Sequence, residues 1–572
     1  MYMMENTATT SQRIAAALKR NGVTVIFGQS NPTGITLAAT DLGIRQVGYR
    51  QENAGSYMVQ AHAMCTQRAS VVTAQNGPAA TLLVPGLAEC LKASHPVVAI
   101  VQDVGQDNVE RNAFQELDHV KLFEGVAKWV RRVPRQDRIE EFVDQAFIAA
   151  TSGRPGPSVL LVPMNMVKDR EAYPVPYERR GDYGRYPLDR TAADPARIKE
   201  AAALLAKAKQ PIIYAGGGVI SSQAQQELRA LQEQCGLPVA TSTMGKGSVD
   251  ETHPLSMGPI GYYMGKRGVS RFMKPLVDNA DVILLVGNRT NQNGTDDWKL
   301  LPRTAQYIHI DIDPMENSRN YEALRIVGDA KLALGQLLEA LQAAGLDTRK
   351  AARPAAEAAI AKAKADHKAD AKDATESSQN PFRIERFMAE LDRQLPGDAI
   401  IAPDASLSSV WVANYITARQ DRKFIFPRGI AGLGWGLPYA MGAKVAQPNR
   451  QVFCLAGDGG FAHMWSELET CKREGIDVVV AVINNAILGY QMFAEEAGLG
   501  RSSNATTLTV VDHAKVAEAC GVKGIRVTKA EDIAGALQEA FATKGTVLLD
   551  LLVEPKCIPP IPMMGVLEDV IK

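Results

Sequence analysis

Two short apolar runs near the C-terminus bracket one helical pattern, and that arrangement narrows the possible folds more than any other stretch. From Gln451 to Gln491 the chain reads QVFCLAGDGGFAHMWSELETCKREGIDVVVAVINNAILGYQ. Residues 451–456 read as a buried strand that stops at Gly457-Asp458-Gly459-Gly460. A helical pattern follows (Met464, Leu468, Cys471), and a second apolar run, 476–483, ends at Asn484-Asn485. Asp458 and Asn485 are 27 residues apart (485 − 458), the length of one strand–helix–strand crossover. A parallel unit of that kind brings both strand C-termini to the same edge of a sheet, where ligands bind.

That edge has a definite chemistry. Asp458 offers a carboxylate and Asn485 a neutral carbonyl oxygen, both hard ligands suited to Mg²⁺ or Ca²⁺. Glycines 457, 459 and 460 let backbone N–H groups approach a diphosphate near a helix N-terminus. Two protein oxygens are too few for an all-protein cage, so the cation is expected to bridge to a diphosphate ligand.

The 572 residues leave room for two to four domains. Lys+Arg and Asp+Glu are both 63, so no basic excess points to nucleic acid or an anionic membrane. Zero net charge with 46% hydrophobic residues suits a chain that buries surface in an oligomer. Seven cysteines without C-x-x-C spacing suggest buried free thiols in a reducing compartment. With no early apolar leader and no 18-residue apolar span, a cytoplasmic protein is expected.

Strand and helix signals alternate in three stretches, so the expected fold class is α/β with three doubly wound parallel sheets. The expected domains are residues 1–167, 195–345 and 381–555. Residues 168–194, rich in Pro, Tyr and charge, read as a surface linker. Residues 346–380 are dominated by Ala, Lys and Asp around Pro354 and read as a second, partly helical linker. The proline-rich tail, 556–572, is expected to be extended.

Further candidates lie at strand ends. Glu52 opens an apolar helix; by itself it is an ordinary helix-start glutamate favoured by the dipole. Residues 430–438, IAGLGWGLP, form a glycine-rich turn with Leu433 inside it. Ser406 and Ser408, beside Leu407, either donate to phosphate oxygens or cap a helix. In the middle stretch, Gly216-Gly217-Gly218, Arg289 and the Asp311 segment (HIDIDP) follow strands, in the manner of Rossmann-like switch points. His119 reads as a surface helix residue.

Taken together, these segments resemble thiamine diphosphate (ThDP) enzymes over nearly the whole chain, in the order pyrimidine-binding, central and diphosphate-binding domain. The resemblance implies that Asp458, Asn485 and the carbonyl of Ile487 hold Mg²⁺ against the cofactor diphosphate. It places further diphosphate contacts at Ser406, Leu407, Ser408, Gly457, Gly459 and Gly460. Within YRQENAG it makes Glu52 the buried carboxyl that bonds a pyrimidine nitrogen, and Leu433 the apolar wedge between the two cofactor rings. The family commonly has His where this chain has Gln51, and acetolactate synthases usually have Met where it has Leu433.

The nearest branch resembles acetolactate synthase, through Ala113-Phe114-Gln115-Glu116 and the downstream Lys128. On that likeness Gln115, Lys128, Asn76 and Gln29 are substrate-side residues. The turn Gln75-Asn76-Gly77-Pro78 looks more like sulfoacetaldehyde acetyltransferase, and the Trp after the second active-site helix is replaced by Tyr490-Gln491-Met492-Phe493. For the middle domain the resemblance suggests FAD or ADP, contacted by Arg154, Gly216, Gly217, Arg289, Asp311 and Asp329. Thr290-Asn291-Gln292-Asn293 stands where the family's FDDR would follow. The implied activity is decarboxylation of a 2-oxo acid and transfer of the two-carbon unit to a carbonyl acceptor. The implied assembly is a homodimer or homotetramer with active sites between subunits. Lyase, hydrolase or acetyltransferase chemistry is the alternative, and a non-catalytic nucleotide-binding scaffold the remote one.

Overall fold

The computed structural model describes residues 7–168, 171–174, 177–419 and 421–569. Its frame is three six-stranded sheets, parallel throughout. Across the first sheet the strands run Arg45–Val47, Val25–Phe27, Ser70–Ala74, Val97–Asp103, Pro157–Pro163, Trp129–Arg132. Across the third they run Lys423–Phe424, Ile400–Pro403, Val452–Gly457, Val479–Asn484, Val547–Leu552, Lys523–Val527. Central strands such as Val97–Asp103 and Val479–Asn484 are buried along their whole length. That is why they read as continuous apolar runs rather than as alternation: helices cover both faces.

The first and third sheets share one strand order, 2-1-3-4-6-5 by appearance, whereas the middle sheet is 3-2-1-4-5-6. In the outer two the order reverses between the first and third strands. Gln29 and Gln75 therefore flank the crevice of the first sheet, and Ser406 and Asp458 flank that of the third.

By contacts the chain divides into two compact units. One comprises residues 1–189, 427–449 and 464–478; the other comprises 190–426, 450–463 and 479–572. Two helices of the C-terminal segment, Gly436–Ala446 and Glu467–Glu474, thus belong with the first sheet. Gly436–Ala446 lies against Glu52–Thr66 so closely that a Cβ on Gly442 would come 2.1 Å from the Met58 carbonyl oxygen. Tyr57 and Trp435 stack at 4.5 Å, and Tyr439 Oη donates to Gln60 Oε1 at 2.8 Å. Gly442→Ala is expected to destabilise the first unit. Alanine gains about 1 kcal/mol of helix propensity, but overpacking against immobile backbone costs about 1–3 kcal/mol. Urea unfolding followed by circular dichroism should show an earlier transition; an unchanged midpoint would contradict the packing.

The connecting segments and the tail carry more structure than their composition suggested. The segment 346–380, expected to be partly helical, is helix for most of its length: Asp347–Thr375 is one 29-residue helix with Pro354 inside it. Its alanines favour helix, and Ile360 and Ala363 bury in the middle-domain core. Asp370 further anchors it by pairing with Arg271 and accepting from the Arg267 N–H. The tail, expected to be extended, is not: Pro562–Asp569 is a 3₁₀ helix, and Ile561 and Met564 bury in the third-domain core. Within 168–194, Tyr173–Pro174 pairs antiparallel with Thr7–Ala8, and Tyr186 is buried. Residues 169, 170, 175 and 176 of that segment, residue 420, and the chain ends 1–6 and 570–572 lie outside the described residues. Six of the seven cysteines are buried, with Cys520 half-buried. Among the described residues no helix is long and apolar enough to cross a membrane.

Candidate active site

In the second unit, the end of Val452–Gly457 and the end of Val479–Asn484 are adjacent because the two strands pair, Gly457 opposite Ile483. Asp458 is buried, and its two oxygens tie the strand ends together. Oδ1 accepts the Gly459 N–H at 2.8 Å, and Oδ2 accepts the Ala486 N–H at 2.7 Å. Burial pushes the Asp458 carboxyl above the usual range; the backbone donors offset this only partly. The 486–488 stretch is pinned from outside, where Leu488 N–H donates to Thr506 O and Leu508 N–H to Ala486 O. Asn485 and Ile487 are half-buried beside it, the Asn485 Oδ1 accepting the Ile487 N–H at 3.4 Å.

A Cβ on Gly457 would meet nothing within 4 Å, so the space above this strand end is open. On Gly459 it would come 2.7 Å from Leu488. Across the crevice Ser406 starts the Leu407–Tyr415 helix at φ 62°, a left-handed conformation for a non-glycine residue. Ala431, Ala486 and Gln115 share it. Strain of this sort concentrates at functional turns. Ser408 is buried, and Leu407 lies against Gly489. Among the described residues no three His, Cys, Asp or Glu side chains converge as a metal cage. A cation here would be held by one carboxylate, neutral oxygens and the oxygens of a phosphorylated ligand, a set that fits Mg²⁺.

In the first unit, Glu52 is the first residue of the Glu52–Thr66 helix and is half-buried, not fully buried as expected. Its neighbour Tyr49 is buried and donates to Thr73 O at 3.2 Å. Burial, followed by the charges of Glu52 and Glu467, drives the Tyr49 phenol far above its ordinary range. Leu433 is 39% exposed in the turn that leads into Gly436–Ala446. Gly432 there faces the Trp435 ring at 2.4 Å from a would-be Cβ, which only glycine permits.

The substrate-side expectations separate. Carboxamides chain together: Asn31 Nδ2 donates to Gln75 Oε1 and Gln75 Nε2 to Gln115 Oε1, both at 2.9 Å. Buried Asn76 donates to the Phe114 and Gln115 carbonyls and accepts from Gln102 Nε2 at 3.1 Å. Gln29 is exposed, its amide 3.4 Å from Tyr49 O. Lys128 keeps other company: its ammonium donates to Ser152 O at 2.6 Å.

His119 is corrected. It is fully buried, not on the surface, and it organises the Asn76 turn. The Gly77 N–H donates to Nε2 at 2.9 Å, so the ring proton sits on Nδ1 and donates to Asp103 at 2.9 Å. Burial alone would raise the Asp103 carboxyl; His119 and Arg132 outweigh it and hold the carboxyl below its usual range. Gln102 and Asp103 were not singled out in the sequence; their only mark was their place at the end of the Val97–Asp103 strand.

The middle crevice has structural reasons for most of its motif. A Cβ on Gly216 would lie 2.1 Å from Gly287 O, and one on Gly218 2.6 Å from Gly287 Cα, so these glycines permit backbone contact. Gly217 packs near Met244. Asp329 caps the Ala330–Ala344 helix and is engaged by Arg190 and Ser222, each at 2.8 Å. Arg154 belongs to the first unit, where it donates to Ser94 Oγ and Leu91 O. Asp311 is buried, and burial pushes its carboxyl up to about 6. Arg289 is half-buried after Val282–Val286.

Three family models match the chain in this order: Thiamine pyrophosphate enzyme, N-terminal TPP binding domain, residues 8–122; central domain, 198–337; C-terminal TPP binding domain, 404–551. The chain is 32% identical to a probable acetolactate synthase large subunit of Methanocaldococcus jannaschii, over 98% of this chain and 95% of that protein. It is 31% identical to acetolactate synthase 1, chloroplastic, of Nicotiana tabacum, over 98% of this chain and 84% of that one. It is also 31% identical to the acetolactate synthase large subunit of Corynebacterium glutamicum, over 93% and 84% respectively. The chain belongs to the thiamine pyrophosphate enzyme family and is an acetolactate synthase-like, ThDP-dependent enzyme.

Proposed function

We propose that the chain is a ThDP- and Mg²⁺-dependent carboligase that decarboxylates a pyruvate-like 2-oxo acid and joins the two-carbon unit to a carbonyl acceptor. The observation that supports it most is the Ala486–Asp458 bond, which draws the GDGG turn and the 485–487 turn into one cluster. When bound, the cofactor would supply a carbon nucleophile that adds to the carbonyl of a 2-oxo acid and a cationic ring that takes up the electron pair left behind as CO₂ departs. Asp458, Asn485 and the Ile487 carbonyl would hold the cation. Ser406, Leu407, Ser408 and Gly457–Gly460 would hold the diphosphate. Leu433 would prop the two rings, and Glu52 would hold and pass the proton at the pyrimidine nitrogen. Two copies of the chain are proposed to complete each site, as a homodimer or a tetramer of such pairs. In the middle domain an FAD or ADP would be read by Arg289 and Asp311; a flavin absorbance spectrum of the purified protein checks this.

On the substrate side the amides of Asn31, Gln75 and Gln115 favour a polar acceptor, because their hydrogen-bonding capacity beyond the bonds they make to one another would go unmet against an apolar one. Weak acetolactate formation from pyruvate alone is therefore expected, with faster turnover when a hydroxylated or anionic partner is supplied. Incubation with ThDP, Mg²⁺ and pyruvate, with and without a panel of aldehydes and CoA, tests this through mass spectrometry and steady-state kinetics. Acetolactate made from pyruvate alone as efficiently as any pair would make this an ordinary acetolactate synthase. An acetyl product on CoA would favour the acetyltransferase reading.

A further inference from the structure

Two fully buried glutamates in the first unit hold backbone N–H groups of distant turns. Glu467, which opens the Glu467–Glu474 helix, accepts the N–H groups of Arg50 and Gln51 at 3.0 and 3.1 Å, and the Thr470 hydroxyl at 2.7 Å. Arg50 and Gln51 are the turn that delivers Glu52. Glu89, in the Val84–Ala93 helix, accepts the N–H groups of Gly429 and Ile430 at 2.6 Å each, and Ala431 at 3.3 Å. Those residues are the turn that delivers Leu433. A Cβ on Gly429 would stand 2.8 Å from the Glu89 carboxyl carbon, so glycine there lets the turn close onto it.

The arrangement is reciprocal. The first and third sheets share one strand order, and the Glu52–Thr66 and Gly436–Ala446 helices, which follow equivalent strands, pack on each other. Both glutamates lie on the last helix between the third and fourth strands of their own fold, Glu89 in Val84–Ala93 and Glu467 in Glu467–Glu474, and each accepts from the turn that leads into the other fold's helix. At Glu89 both oxygens accept N–H groups, which can only donate, so an amide does not suit that place; at Glu467 both N–H groups meet Oε1, and the negative charge strengthens those bonds.

We propose that Glu89 and Glu467 are a matched pair of positioning residues, fixing from opposite sides the two turns that present Leu433 and Glu52. The proposal rests on the ThDP reading for what those turns serve, but the clamp itself does not. Burial raises both carboxyls above their usual range, with the backbone N–H groups pulling against it. Keeping such carboxylates buried has a cost that packing alone does not explain.

The test is amide hydrogen exchange on the full chain without cofactor, then NMR of C2–H exchange and calorimetric affinity with ThDP and Mg²⁺. In Glu467→Gln, the Arg50 and Gln51 amides should exchange about ten- to a hundredfold faster, as loss of charge-assisted hydrogen bonds implies. C2–H exchange should fall by about tenfold or more while ThDP affinity stays nearly unchanged, because misplacement near the reacting group costs rate before binding. Glu89→Gln should loosen 429–431 in the same way. Glu467→Asp, which keeps the charge on a shorter stem, should recover part of both rates. It also serves if the Gln variant does not fold. Turn amides that exchange as in wild type in the folded variants overturn the clamp. Loosened turns with wild-type C2–H exchange reduce both glutamates to ordinary structural caps and overturn the positioning role. Failure of the wild-type chain to bind ThDP would sink the functional reading instead, and the cofactor-free exchange data would still judge the clamp.

Discussion

Glu52→Gln should leave ThDP bound and stop its activation. The amide matches the carboxyl in size but cannot exchange a proton with a ring nitrogen, and positioned proton transfer contributes about 10²- to 10⁴-fold. Affinity should survive because Glu52 lies in the first unit, while the proposed diphosphate and cation residues lie on the third sheet. C2–H exchange of bound ThDP, followed by NMR, should fall by about that factor. Wild-type exchange in the variant would remove Glu52 from the role.

The second large effect is expected at Asp458. Asp458→Ala removes the one carboxylate of the proposed cation site and the acceptor that joins the Gly459 and Ala486 turns. ThDP affinity in the presence of Mg²⁺ should fall by at least about a hundredfold, beyond what loss of a mere supporting group causes. Asp458→Asn separates the two contributions, since its carbonyl oxygen can keep one N–H bond without the charge. Calorimetric titration with and without EDTA reads both variants. Tight binding that ignores EDTA in the wild type would contradict the metal assignment.

The parts of this site that were legible in the sequence are those where strands stop. Asp458 and Asn485 each follow a buried apolar run, and such runs mark sheet edges without knowledge of the partners; Glu52 follows the short, partly exposed strand Arg45–Val47 and was legible only through the helix it opens. The nature of 346–380 was obscured because Pro354 reads as a breaker; buried Ile360 and Ala363 show that docking holds the helix. His119 looked unremarkable because its partners, Asp103 and Gly77, are distant in sequence and their pairing depends on tertiary folding. The two clamping glutamates were harder still. Glu89 grips residues 340 positions away and Glu467 residues 417 positions away, contacts that leave no local pattern. In the middle domain the glycine motif was conspicuous, and contact of Gly216 and Gly218 with Gly287 gives those two glycines a packing role that the sequence did not show.

The central claim is that Glu52 and Asp458 serve one kind of site, completed by two copies of the chain. Mixing Glu52→Gln with Asp458→Ala, each inactive alone, tests it most directly. If Glu52 of one copy works with Asp458 of another, a mixed dimer contains one site that lacks both wild-type groups and one that retains both. Refolded or co-expressed mixtures, assayed for CO₂ release from pyruvate with ThDP and Mg²⁺, are predicted to regain activity that neither variant has. No recovery in mixtures shown to contain heterodimers, or a fully active wild-type monomer by sedimentation, would contradict it.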